Sequence, residues 1–274
     1  MTALLLAPSL TAPPDVAPAR RHGVVLVHGM RQSSRTWAAQ EAYLAAAGHT
    51  VVPVDLPGHG RRIGQRFTLD AAHDVIDDAV ESLPSGDPVV VVGQSLGGYT
   101  TLGWAARRAT STTHPLAGVV ASGCSTDPFG KPVALYRGAA DRVARTAASW
   151  RDRLPGRAGQ TPRTSPDGSA RPGWGLVTDA LGALAGRSSL ADLADVRVPV
   201  WFVNGARCHL RWQEQRYLRT AERGALVVVP RTGHDVQLEA PTVYNRILGR
   251  ALSDFTRSGP LVGAAHGAGA RLGS

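Results

Sequence analysis

Val89-Val90-Val91-Val92 runs without a gap into Gly93-Gln94-Ser95-Leu96-Gly97-Gly98, and small and helix-forming residues follow. The pattern predicts a buried strand, a tight turn centred on Ser95, and a helix. Such a turn forces its central residue into a strained backbone and lifts the side chain above the sheet. Glycines flank the serine because a Cβ two residues to either side would clash. The turn also sets Ser95 at a helix N-terminus, where free backbone N–H groups can hold a developing negative charge.

Further apolar runs lie on both sides of this stretch. Val24-Val25-Leu26-Val27 ends in His28-Gly29-Met30, and Val51-Val52-Pro53-Val54 ends in Asp55-Leu56-Pro57-Gly58-His59-Gly60. Gly118-Val119-Val120-Ala121, Val198-Pro199-Val200-Trp201-Phe202-Val203 and Ala225-Leu226-Val227-Val228-Val229 come later, and Thr232-Gly233-His234-Asp235 follows the last. Short continuous apolar runs alternating with helical stretches read as a mostly parallel sheet covered on both faces, an α/β fold.

With these motifs in this order, the chain resembles the α/β-hydrolase fold superfamily from about Arg21 to Phe255. His28-Gly29 matches its oxyanion loop, Asp55-Leu56-Pro57-Gly58-His59-Gly60 the loop after the next strand, and Gly93-Gln94-Ser95-Leu96-Gly97-Gly98 its nucleophile elbow. Gly233-His234, followed by Glu239-Ala240-Pro241, matches the histidine loop. The stretch from Val27-His28-Gly29 through Gly48-His49 to Asp55-Leu56 is also similar to the plant methylesterase and hydroxynitrile lyase branch. The resemblance implies an eight-stranded-type sheet flanked by helices, with a helical cap inserted after the strand ending near Ala121.

The expected organisation is an extended Ala/Pro-rich arm over 1–20, with room for one edge strand, and a first core part over 21–125. A cap or lid follows over 126–196, then a second core part over 197–256 and a Gly/Ala-rich flexible tail over 257–274. Within the cap, helices are expected at Val133–Trp150 and Leu176–Leu184, with a polar loop at Pro155–Gly173 between them.

The resemblance assigns roles residue by residue. Ser95 is the nucleophile, too weak alone and so in need of a base. His234 is that base. The N–H groups of Leu96 and Met30 form the oxyanion hole, Gly29 lets the backbone turn inward, and Gly29 and Met30 line the substrate site. The position where the family places its acid, third after the glycine in Asn204-Gly205-Ala206-Arg207-Cys208, holds Cys208. A neutral thiol cannot stabilise an imidazolium as a carboxylate does, and losing the acid can cost about four orders of magnitude. Three alternatives stand: the acid has moved to Asp127, the favoured one; a Ser–His dyad works with Cys208 or a carbonyl orienting the ring; or hydrolysis is lost and the pocket binds a ligand or runs a lyase reaction. Asp235, adjacent to His234, is expected to point away from the ring. Asp55 reads as a turn former beside Pro57-Gly58. Trp37, Trp150, Trp174 and Trp212 are candidates to line a cleft, and His28 and His59 read as loop packing.

Composition bounds the partners. The 274 residues carry a formal charge of +9, and Lys131 is the only lysine. The arginines are dispersed, without the clusters and interleaved aromatics of nucleic-acid binding, so no nucleic-acid partner is expected. No run reaches the ~18 consecutive apolar residues of a membrane helix, so no membrane partner is expected. Met1–Pro8 lacks a basic n-region and its apolar patch is cut by a proline, which disfavours a secretory signal and leaves cytoplasmic residence as the expectation. Two cysteines make neither a disulfide framework nor a zinc site. The expected protein is a monomer or homodimer that takes a small ester-type substrate and needs no cofactor or metal.

Overall fold

The computed structural model describes residues 3–6, 20–108, 113–129 and 173–258. Its strands are β1 (Ala3–Leu6), β2 (Gly23–Val27), β3 (Thr50–Val54), β4 (Val89–Gln94), β5 (Leu116–Ser122), β6 (Val200–Gly205) and β7 (Gly224–Val229). All pair in parallel, in the order β1-β7-β6-β5-β4-β2-β3. The sheet therefore has seven strands among the described residues, where an eight-stranded type was expected. The edge strand read into the N-terminal arm is β1, registered on β7 from Ala3↔Ala225 to Leu6↔Val228.

The valine runs are continuous because each strand is covered twice. Val25, Val27, Val89, Val91 and Val119 face one core, while Val24, Leu26, Val90, Val92 and Val120 face the other. This is the period-2 alternation of a strand whose two faces are both dry. The first core is closed by α2 (Leu69–Glu81) and α3 (Leu96–Arg107), and the second by α1 (Ala38–Ala46) and the last helix, α8 (Pro241–Ser258). In α8, Tyr244, Ile247, Leu248, Ala251, Leu252 and Phe255 recur at helical spacing and are buried. Each such side chain stabilises the fold by roughly 1.5–3 kcal/mol relative to exposure.

Between β5 and β6 the described residues contain α4 (Trp174–Ala185) and α5 (Ser189–Asp195), so the helix expected at Leu176–Leu184 is present. The helix expected at Val133–Trp150 and nearly all of the loop at Pro155–Gly173 lie outside the described residues. Among the described residues, α6 (Glu214–Thr220) follows β6 and α7 (Val236–Glu239) follows β7, and short 3-10 turns lie at Ser34–Trp37 and Gly60–Arg62.

Strand order reverses beside β4: the chain runs outward to β3 on one side, and through β5, β6 and β7 on the other. The crevice at such a reversal opens at the carboxyl ends of the strands. There β2 delivers His28-Gly29-Met30 and β4 delivers Ser95.

Candidate active site

Ser95 adopts φ 53° and ψ −116°, a left-handed backbone that costs a non-glycine residue about 1–3 kcal/mol. Close packing on both sides imposes it. A Cβ on Gly97 would lie 2.3 Å from the carbonyl oxygen of Val27, and one on Gly93 would lie 2.4 Å from that of Gly97. The Ser95 N–H donates to the Ser122 carbonyl at 2.8 Å, and the Ser95 carbonyl accepts from the Tyr99 N–H at 3.0 Å. Leu96, buried, is the first residue of α3, so its N–H is among those with no acceptor inside the helix.

The loop after β2 is fastened by histidines. His28 Nε2 accepts from the Leu56 N–H at 3.1 Å, which leaves the proton on Nδ1 to donate to the Gly29 carbonyl at 2.7 Å. His59 Nε2 accepts from the Arg31 N–H at 3.1 Å, and its Nδ1 meets the Pro57 carbonyl at 3.0 Å. The two rings stand edge to face, 4.7 Å apart. Burial, reinforced by the His28 ring, pushes the His59 pKa down to about 3. Both imidazoles pin backbone, as their loop-packing reading expects. Gly29 passes so close to the elbow that a Cβ there would lie 2.0 Å from Gln94 Oε1 and 3.3 Å from Ser95 Cβ. Its own N–H donates to Gln32 Oε1 at 3.2 Å. Met30 is half-buried against the first core.

His234 sits on the loop between β7 and α7, across the end of β5 from the serine. Ser122 holds the Ser95 amide, and a Cβ on the next residue, Gly123, would lie 3.1 Å from both Cε1 and Nδ1 of His234. Nδ1 of His234 is 3.2 Å from Cys208 Sγ. The His209 ring lies against the His234 ring, with centroids 4.6 Å apart and planes 43° apart. Burial lowers the His234 pKa; Asp235 and Glu239 oppose the shift and His209 adds to it. Burial raises the Cys208 thiol pKa, against the Leu210 N–H that points at its sulfur from 3.4 Å. The pair is thus a neutral thiol beside a neutral imidazole.

Asp127 is not the partner of this ring, and that expectation is corrected. Its Oδ2 accepts from Ser188 Oγ at 2.7 Å and its Oδ1 from the Ser189 N–H at 3.0 Å. Oδ1 also accepts from the Phe129 N–H two residues on, at 3.3 Å, the turn an Asp-Pro pair favours. The carboxylate ties the end of β5 to the first turn of α5.

Asp55 closes its turn as expected. It accepts from the Ser34 N–H at 2.7 Å and from the N–H and Nε of Arg61, both at 3.1 Å. Burial works to raise its pKa, but these donors outweigh it and the net shift is downward. Trp37 is fully buried against Tyr244 and lines no cleft, whereas Trp212 is exposed. Trp150 lies outside the described residues, and Trp174 opens α4. Cys124 and Cys208 are both free thiols.

Two contacts went unread in the sequence. Asp235 does point away from the His234 ring, but toward Gln32 and Gln94: its Oδ1 accepts from their Nε2 groups at 3.0 and 2.9 Å. Since Gln32 also holds the Gly29 amide, one carboxylate oxygen joins the loop after β2, the elbow and the histidine loop. The other contact is that of His209. Its adjacency to the vacant acid position was the available signal.

Among the described residues no group of three or more His, Cys, Asp or Glu could hold a metal ion, and no helix is long and apolar enough to cross a membrane.

A parallel sheet with a strained serine after its central strand and a histidine after its last defines a hydrolase-type fold. The alpha/beta hydrolase family model matches residues 24–247, and the chain belongs to that family. Methylesterase 3 of Arabidopsis thaliana is 37% identical over 85 residues, 30% of this chain and 32% of that protein. Alpha-hydroxynitrile lyase of the same plant is 34% identical over 82 residues, 29% of this chain and 32% of that one. The matched segment thus spans about a third of these relatives' length. Among solved structures, a thermophilic esterase from Thermogutta terrifontis superposes with a TM-score of 0.64 at 23% identity, covering 85% of this chain and 90% of that one. At that identity it shares the fold.

Proposed function

We propose that the protein is a serine hydrolase that cleaves a carboxylic ester, thioester or lactone through an acyl-enzyme on Ser95. The observation that carries this reading is the left-handed Ser95 backbone, held between two glycines that admit no side chain. A fold keeps such strain where a hydroxyl must stand free of its own helix.

His234 Nε2 takes the Ser95 proton as Oγ attacks the substrate carbonyl carbon. The N–H groups of Leu96 and Met30 hold the oxyanion. The tetrahedral intermediate collapses, and the imidazolium returns the proton to the leaving oxygen or sulfur. Water, deprotonated by the same ring, then releases the acid. For Nε2 to act as a base its lone pair must be free, so the neutral ring carries its proton on Nδ1, donated to Cys208 Sγ.

The esterase-type names among the relatives and neighbours support the substrate class. A second reading, a lyase or a ligand-binding protein on the same pocket, is favoured by the thiol at 3.2 Å from Nδ1 where a carboxylate would stand. The test is hydrolysis of a panel of short- and medium-chain nitrophenyl esters by the protein and its Ser95→Ala variant. Turnover in the first that is absent in the second is expected. Equal rates in the two remove Ser95 as nucleophile and leave the second reading.

A further inference from the structure

We infer that His209 is a positioning residue for His234, holding through a tilted ring-to-ring contact the base that Cys208 holds only loosely at one edge. The inference rests on the assignment of His234 as base. A catalytic imidazole needs one orientation and one tautomer, and a charged carboxylate enforces both. Here the edge contact is a neutral thiol, a weak acceptor. The torsion that turns an imidazole about its own bond is broad and soft. A second contact on the ring must therefore restrict it.

His209 supplies that contact. It follows Cys208 directly, so one short loop meets His234 twice, at Nδ1 through Cys208 and at the ring through His209. The loop itself is firmly held. The Ala206 N–H donates to the Val229 carbonyl, the Arg207 N–H to Thr232 and the Cys208 N–H to Gly205, at 2.9, 2.9 and 3.0 Å. The Leu210 carbonyl accepts from the Ser125 N–H at 2.9 Å, and Arg211 Nη1 donates to the Ala206 carbonyl at 2.8 Å. His209 itself is exposed and makes no contribution to either core. An exposed imidazole set against the ring of the base has a positional use rather than a structural one.

The ring also faces charge. Around His234 stand Cys208 and His209 from the loop after β6, and Asp235 and Glu239 from its own loop and α7. The two carboxylates favour the imidazolium, and the His209 ring beside it opposes it. Removing that imidazole therefore moves the acid limb of the rate profile to higher pH.

The test compares His209→Ala, His209→Gln and His209→Phe by nitrophenyl ester kinetics and by long-range proton–nitrogen spectra of the histidine rings. Aromatic contact of this kind is worth about threefold to tenfold in rate. His209→Ala and His209→Gln should lose about that much in kcat with KM unchanged, and His234 should show mixed tautomers. His209→Phe, which keeps an aromatic ring at the contact without the imidazole, should recover most of kcat and a single Nδ1–H tautomer while keeping the shifted acid limb. Parent-like kcat and a parent-like His234 spectrum in the alanine and glutamine variants overturn the inference. If the parent hydrolyses no ester, the proposed function fails by itself. The spectra then still decide, because an unchanged His234 tautomer in those variants removes His209 as its support.

Discussion

Cys208 Sγ lies 3.2 Å from His234 Nδ1, in the place where a triad carboxylate would accept the hydrogen bond of the ring N–H. The raised thiol pKa keeps that sulfur neutral, so it orients the ring without stabilising the imidazolium. Cys208→Asp should therefore increase kcat. The Leu210 N–H already points at the position and would hydrogen-bond the new carboxylate. A gain of about 10- to 100-fold is expected, below the full effect of a native acid because the surroundings are not built for a charge. Cys208→Asn, neutral like the thiol, should show no gain. Steady-state kinetics on one nitrophenyl ester decide it, and a Cys208→Asp rate at or below the parent's would show that proton transfer through His234 is not limiting.

Asp127→Ala separates a structural carboxylate from a catalytic one. Its oxygens satisfy the hydroxyl of Ser188 and the amide of Ser189 at the start of α5. Loss of such a helix-start acceptor costs about 0.5–2 kcal/mol. The variant should melt a few degrees lower, at about 2–4 °C per kcal/mol for a chain of this size. Its kcat below the melting range should stay within about twofold of the parent's, whereas loss of a triad acid costs orders of magnitude. A thousandfold drop, at about the level of a lost acid, would return Asp127 to the catalytic site.

The contrast between Asp127 and Ser95 shows where the sequence could be read. The buried strands, the elbow and the histidine loop were legible because local chemistry dictates them. Continuous valine runs need two dry faces, and Gly93 and Gly97 admit no Cβ. The departure at Cys208 was equally visible, as a single residue at a family position. The carboxylate's partner was not, because Asp127 meets Ser188 across 61 residues of sequence, a separation that no local pattern reports. Trp37 failed for a related reason: its place beneath Tyr244 is set by the packing of α8 from the far end of the chain. The contacts of His209 and Asp235 likewise depend on how three loops meet at one sheet edge.

Acid should destabilise the fold well before its carboxylates are protonated. Burial, aided by His28, holds the His59 pKa at about 3. Burial, aided by Arg107 and Arg187, holds His73 at about 4. Burial, aided by His49 and Arg20, holds His22 at about 4. In the unfolded chain each returns to about 6.5. Between these values the unfolded chain binds more protons, so stability rises with pH across the window. The contribution is complete above about pH 6.5 and is lost as pH falls toward 4, and toward 3 for His59. With about 1.4 kcal/mol per pKa unit, the three sites together can remove a large part of the roughly 5–15 kcal/mol that holds a domain together. Urea midpoints measured from about pH 8 down to about pH 4 should fall steadily below about pH 6.5. A flat profile over that range would show that these imidazoles are protonated in the fold.

Asp235 should matter to catalysis without touching the reacting atoms. Its Oδ1 is shared by Gln32 and Gln94, and Gln94 is fully buried beside the nucleophile. Asp235→Ala removes that acceptor from the half-buried Gln32 and from the buried Gln94, whose Nε2 keeps only the His234 carbonyl at 3.4 Å, and each lost hydrogen bond costs about 0.5–1.5 kcal/mol. The Gln32 side chain would then release the Gly29 amide it holds at 3.2 Å, and the oxyanion loop would lose its registry with the elbow. A misplacement of about 1 Å in such a site can cost about a hundredfold in rate. Asp235→Ala should therefore lower both the melting temperature and kcat, while Asp235→Asn, which keeps one acceptor oxygen, should recover part of both. Thermal melts and ester kinetics on the same preparations test this. A variant that melts early yet keeps the parent's kcat at low temperature would confine Asp235 to stability, and leave the alignment of the three loops to the glycines and histidines that pin them.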